Sequence, residues 1–166
     1  PVSDQFIEKL KNPLVVPEIS KFNFELNSDP LTFKGEVFTK LEDNILRLWK
    51  KCEGLAEEMD LKALIIGTLP TLKDHMLTMD QLSPQKRYFA LNNQVMKLRG
   101  DKPINIHIEG REEVHLTNTN MITECAATSL QIHFGVTPEE GPKYYNASII
   151  ASSFMAATCS ISPYFY

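Results

Sequence analysis

The sequence predicts an α+β fold, a mainly antiparallel sheet with helices packed on one of its faces. Three short stretches alternate apolar and polar residues with period two, the pattern of strands with one face on a core. In 128–136, TSLQIHFGV, the residues Thr128, Leu130, Ile132, Phe134 and Val136 point one way, and Ser129, Gln131, His133 and Gly135 the other. In 22–27, FNFELN, the residues Phe22, Phe24 and Leu26 face in; in 104–109, INIHIE, the three isoleucines do. A longer stretch, 35–59, carries an apolar stripe at three- and four-residue steps, which is a helix covering a sheet.

Taken in order, residues 3–11 read as a short helix capped by Ser3. Residues 14–19, LVVPEI, lead into the first strand, and Pro17 keeps it at an edge or bend because proline donates nothing to a ladder. NSDPL at 27–31 ends the second alternating stretch. The 35–59 helix puts Val37, Phe38, Leu41, Ile45, Leu48, Trp49, Cys52 and Leu55 on one stripe, and Trp49 there is a core residue rather than a ligand. Residues 61–67 contain ALII and read as a strand buried on both faces. Residues 68–82 sustain no period and form a long connection, expected to be functional and mobile. Ser83 and Pro84 supply an N-cap and a first-turn proline for a helix to about Arg99, closed by Gly100. Its apolar positions are Tyr88, Leu91, Val95 and Leu98, with Arg87 near the start. After the strand at 104–109, Gly110 and Arg111 make a turn and 113–116 return. Residues 121–127 lead into 128–136. Thr137-Pro138-Glu139-Glu140 is a capping box with a first-turn proline. The helix it opens runs to about Cys159 and is apolar nearly all round from Ala147. That apolar part is too short for a bilayer, which needs roughly 20 residues, so the helix is expected to be buried by neighbours.

At 166 residues, 43% hydrophobic and 23% charged, the chain has the composition of one globular domain with a core. Seventeen basic against 21 acidic residues give a net charge of −4 with no basic block, which argues against nucleic acid as a partner. Three scattered cysteines without a CxxC point to free thiols in a reducing compartment. No signal peptide opens the chain, so the expected location is cytoplasmic, with no membrane partner. Nothing in the sequence bears on oligomeric state. The chain begins at Pro1 without methionine and stops at the apolar SPYFY, and it is therefore expected to be a piece of a longer protein.

There is no Gly-rich phosphate loop, GxSxG, HExxH or cysteine–histidine cluster. His75, His107, His115 and His133 show no helical ligand spacing. What stands out is the polar face of the alternating stretches. It carries Glu25, Asn105, His107, Glu109, Gln131 and His133, which are metal and hydrogen-bonding residues rather than the usual Thr and Lys. The alternative is a sheet whose second face is merely wet.

Four segments in register resemble one family. They are VPEISKFNFELNSDPL; GTLPTL with LSPQKRYFALNNQVMKLRG; EGREEVHLTNTNMITECAATSLQIHF; and NASIIASSFMAATCSISPYFY. Together they resemble the type-2 glutamate–cysteine ligase family, relatives of glutamine synthetase, in a turn Ser-x-Pro-Leu, a G-x-x-P loop, a P-x-x-RY helix and a strand ending H/Q-V-H/N. The resemblance implies the central part of a glutamine synthetase/glutamate–cysteine ligase-like catalytic domain. It implies ATP and Mg2+, with glutamate and cysteine, or another amine, as substrates, and a place in glutathione biosynthesis. Carried over, Glu18, Glu25 and Gln131 are the metal residues. Arg87 contacts an anionic substrate or phosphate as the catalytic residue, and Tyr88 and His133 bind substrate. The family's upstream Glu-x-Glu strand and its C-terminal arginine and glutamate have no counterpart here, and Ile161 replaces the Asn of an NSP motif. These residues alone are thus not expected to turn over. The alternative is a non-catalytic binding or regulatory module on the same fold.

Overall fold

In the computed structural model, which describes residues 2–158, the apolar stripe of one long helix organises the first of two units. That unit comprises residues up to Ile65 together with Lys73–Cys125; the second comprises Ile66–Leu72 together with residues from Ala126 on. The chain is a small α+β fold. Among the described residues it has four α-helices and two separate two-stranded antiparallel sheets.

The long helix, α2, runs Val37–Glu58, close to the predicted span. Its inner stripe, Leu48, Cys52 and Ala56, is buried against Phe6 of α1 (Ser3–Leu10) and Val15 of β1 (Val15–Pro17). Strand β2 (Phe24–Leu26) pairs antiparallel with β1, Val15 opposite Leu26 and Pro17 opposite Phe24. The alternation holds here: Phe24 and Leu26 pack on the core, Phe24 stacking on Phe6 at 5.0 Å, and Glu25 faces away. Pro17 sits at the end of a two-stranded sheet, where its missing N–H costs nothing. Trp49 is half-buried, and Phe38 leaves the stripe to meet Phe33 edge-on at 5.6 Å. Ser3 does not cap α1. It is the first helical residue, buried, and its backbone N–H donates to Lys21.

Helix α3 is Lys86–Leu98, shorter than predicted at its start. The N-cap is Gln85, without a side-chain cap. Ser83 is held elsewhere: its N–H donates to Ile19 O at 2.7 Å, and Leu82 bridges antiparallel to Ser20. A tertiary pairing thus outcompetes the local cap. Gly100 ends the helix in the left-handed region at φ +63°, as predicted. The buried face is Tyr88, Asn92 and Met96, while Leu91 and Leu98 point to solvent. Asn92 is tolerated inside because its carboxamide oxygen accepts the Met121 N–H at 3.0 Å. The long connection is not structureless. It contains 3-10 turns at Asp74–Met76 and Met79–Gln81 and buries Leu72, Leu77 and Leu82.

Strands β3 (Ile104–Glu109) and β4 (Glu113–Asn118) form a full hairpin in the predicted place, β4 two residues longer than expected. They are not joined to β1–β2, so the single shared sheet is corrected to two. A 3-10 turn, Ile122–Ala126, follows.

In the second unit, Thr68 bridges to Ala127 and Thr128 N–H donates to Gly67 O at 2.7 Å. Beyond this the predicted strand 128–136 is irregular. Its inward set is exposed, Leu130 by 76% and Ile132 by 58%. Alternation specifies a strand only when a neighbour supplies the ladder, and among the described residues none pairs with 129–136. Residues 61–67 are likewise irregular, with Leu64 and Ile65 exposed. The capping box does form. Thr137 N–H donates to Glu140 Oε2 at 3.3 Å and Glu140 N–H to Thr137 Oγ1 at 3.4 Å. It leads into α4, Gly141–Thr158. None of α4's described residues is buried, against expectation. No helix among the described residues is long and apolar enough to cross a membrane. Cys159, Ile161 and the SPYFY end lie outside the described residues.

The packing predicts unequal costs along two helices. Leu48→Ala empties a buried site and costs about 2–5 kcal/mol. Leu98→Ala, at 78% exposure, changes stability by less than about 0.5 kcal/mol. Urea unfolding of both variants checks this, and equal losses would move the core away from α2.

Candidate active site around Tyr88 and Arg87

Chain segments 70 residues apart meet at the carbonyl of Pro17. Tyr88 is on the inner face of α3, so its hydroxyl reaches β1 and donates to Pro17 O at 2.8 Å. Arg87, one position earlier on the exposed flank, folds back. Its Nη2 donates to the Tyr88 hydroxyl at 2.6 Å and to Pro17 O at 3.3 Å, with the guanidinium 4.5 Å above the tyrosine ring. The planar fork, packed on an aromatic face, is oriented but keeps donors toward solvent.

Two carboxylates bear on the same hydroxyl. Burial raises the Tyr88 pKa above 10.0; Arg87 opposes this, and the negative charges of Glu18 and Glu25 add to it. Glu25 points away from the core of β2, and Glu18 follows β1 directly, one oxygen accepting the Ile19 N–H at 2.9 Å. Glu18 also acts on Cys125. That thiol is pushed up to about 12 by burial first, then by Glu18 and Glu124, which keeps it protonated and unreactive. Asn23 closes the region by donating to Cys125 O at 3.1 Å.

Four of the six residues singled out from sequence, Glu18, Glu25, Arg87 and Tyr88, therefore gather in the first unit. Gln131 and His133 stand in the exposed, irregular part of the second unit, not on a sheet face, so the shared face with Glu25 is corrected. The donor set around Tyr88 suits a hard cation and an anion together. Two carboxylates offer the oxygen ligands Mg2+ takes, and a fixed guanidinium offers a bidentate partner for phosphate or carboxylate. The Pro17 carbonyl and Cys125 had no sequence signal, because backbone acceptors and burial depend on tertiary contact. Glu113 and His115 did have one. A turn at 110–112 sets His115 opposite His107, and period two then brings Glu113 to the same face.

The raised Tyr88 pKa gives a signed pH dependence. The folded state holds the phenolic proton more tightly, so this contribution is complete below pH 10 and is lost as pH rises through the raised midpoint. Stability of the chain should fall more steeply above pH 10 than that of Tyr88→Phe, and Glu18→Gln should bring the midpoint down. Ultraviolet titration with denaturation at each pH reads both; identical alkaline limbs would remove the two carboxylates from the neighbourhood of Tyr88.

Comparison with protein-family models, with curated proteins and with solved structures finds no match to this chain.

Proposed function

We propose that the chain forms part of an ATP- and Mg2+-dependent carboxylate–amine ligase of the glutamate–cysteine ligase kind. The observation that carries this is the meeting of Arg87 and Tyr88 at the Pro17 carbonyl, one residue before Glu18, with the charges of Glu18 and Glu25 felt at the Tyr88 hydroxyl. In such a reaction a glutamate side-chain carboxylate attacks the γ-phosphorus of ATP, giving an acyl phosphate and ADP. The amine then attacks the acyl carbon and phosphate leaves. Little covalent chemistry falls to the protein; it positions the groups and offsets charge.

Each residue has a part in that task. Glu18 and Glu25 would hold Mg2+, whose charge would offset that of the phosphates. Arg87 grips the anionic substrate or phosphate, and its contacts to Tyr88 and Pro17 fix the fork before the substrate arrives. Tyr88 locks α3 to β1 and so sets the carboxylates relative to the guanidinium. Gln131 and His133 lie in the second unit and enter the proposal only through the family resemblance.

Binding is the readout that separates the ligase from the non-catalytic module. Titration with Mg·ATP, followed by amide NMR, should shift signals in 16–26 and 86–89. Glu25→Gln should leave the fold intact and weaken Mg·ATP by about tenfold or more. Arg87→Ala should weaken glutamate or the nucleotide similarly. No saturable Mg·ATP binding, or binding indifferent to both substitutions, would remove the ligase reading. Saturable glutamate binding without any response to Mg·ATP would replace it with the non-catalytic module.

A further inference from the structure

We propose that the exposed face of the β3–β4 hairpin is a binding site for a late first-row divalent metal, of which Zn2+ is the type, held by His107, His115 and Glu113. It lies on other elements than Glu18, Glu25, Arg87 and Tyr88 and needs a different ion, so it stands independently of the ligase reading.

The register builds the site. His107 and His115 are direct cross-strand partners, and Glu113 lies two residues before His115, so all three side chains rise from one face. Their ring Nε2 atoms converge on one oxygen, Glu113 Oε1, at 3.0 Å from His107 and 2.8 Å from His115. The imidazoles stack with centroids 4.0 Å apart, and one ligand atom from each residue lies within 4.8 Å of the others. Ligand bonds of about 2.0–2.1 Å in a tetrahedron put neighbouring donor atoms about 3.4 Å apart. The contacts therefore need to open by only a fraction of an ångström to admit the ion. Two residues along the ladder, Thr117 donates to Asn105 at 3.0 Å and ties the same face together.

Donor type selects the ion. Two imidazoles and one carboxylate suit Zn2+, Ni2+ or Cu2+, whereas Mg2+ and Ca2+ take oxygen. Glu113 Oε1, set between the two ring nitrogens, supplies the carboxylate oxygen of the set. Glu109, 3.4 Å from His107 Nε2, adds a second negative charge, and together they offset a divalent ion. Three protein donors leave a tetrahedral ion one position for water. The ion would add a further cross-link between the two strands, and it would stabilise the hairpin by mass action.

Calorimetric titration of the whole chain with Zn2+ should show one saturable site. Co2+ substitution should give visible bands without a thiolate charge-transfer feature. His107→Gln and His115→Gln should each weaken Zn2+ by about tenfold or more, His75→Gln should not, and excess Mg2+ should not compete. In NMR the ring signals of His107 and His115 should move together on adding Zn2+. Absence of saturable binding, unchanged affinity in the His107→Gln/His115→Gln double variant, or unmoved ring signals would overturn the proposal. The ring signals decide the matter even if the double variant does not fold.

Discussion

The first unit depends on one short antiparallel pairing outside either named sheet. Lys21 N–H donates to Gln81 O at 2.8 Å, Ser83 N–H donates to Ile19 O at 2.7 Å, and Ser20 bridges Leu82 between them. Ser20 and Ser83 are fully buried and Leu82 nearly so. Buried backbone groups must be paired, and here the pairing also carries topology. It fixes the end of the long connection against the segment that joins β1 to β2, and so aims α3. Ser3 N–H on Lys21 O, Asn23 on Cys125 O and Tyr88 on Pro17 O attach three further parts of the chain to the same seven residues, 17–23. Loosening this pairing would separate Tyr88 from Pro17, and with it Arg87 from the same carbonyl.

That constraint explains what was legible in the sequence. Helix α2, the β3–β4 hairpin, the Gly100 stop and the Thr137–Glu140 capping box were readable because each satisfies itself within a few residues or one turn. Glu25 was readable for the same reason: Phe24 and Leu26 go to the core and leave it no other direction. Ser83 was not. Its sequence is a good cap, yet Ile19 claims its backbone first, and no local rule contains residue 19. The stripe of α3 was misread by one position because Asn92, counted as polar, is buried through Met121.

The second unit shows the converse. Residues 128–136 have the strongest alternation in the chain, yet beyond Thr128 no strand pairs with them among the described residues. Period two records which side of a ladder each residue would take; the ladder itself comes from another strand. The apolar character of α4 has the same standing, since a helix apolar all round is buried only where neighbours surround it. Gln131 and His133 inherit this. Their assignment rests on the resemblance alone, whereas Arg87 and Tyr88 are also joined to each other and to Pro17 by hydrogen bonds.

Carboxylates are used in two chemically distinct ways in the first unit. Glu18 and Glu25 lie around a phenol already bonded to a guanidinium, and both act to hold a proton on that phenol. Glu113 instead receives two imidazole N–H groups, which favour its charged form. The first arrangement surrounds a buried phenol with a guanidinium it is bonded to and two negative charges that oppose its ionisation. The second gathers nitrogen with a single carboxylate on a rigid ladder, a setting for a metal that prefers imidazole. Ligand preference of this kind follows from donor atoms and geometry, not from the count of acidic residues. The two groups of carboxylates therefore differ in their partners, a phenol with a guanidinium in one and two imidazoles in the other. The separation is set by backbone register in the hairpin and by the Pro17 carbonyl at the other site, so each is a consequence of the fold before it is a matter of affinity.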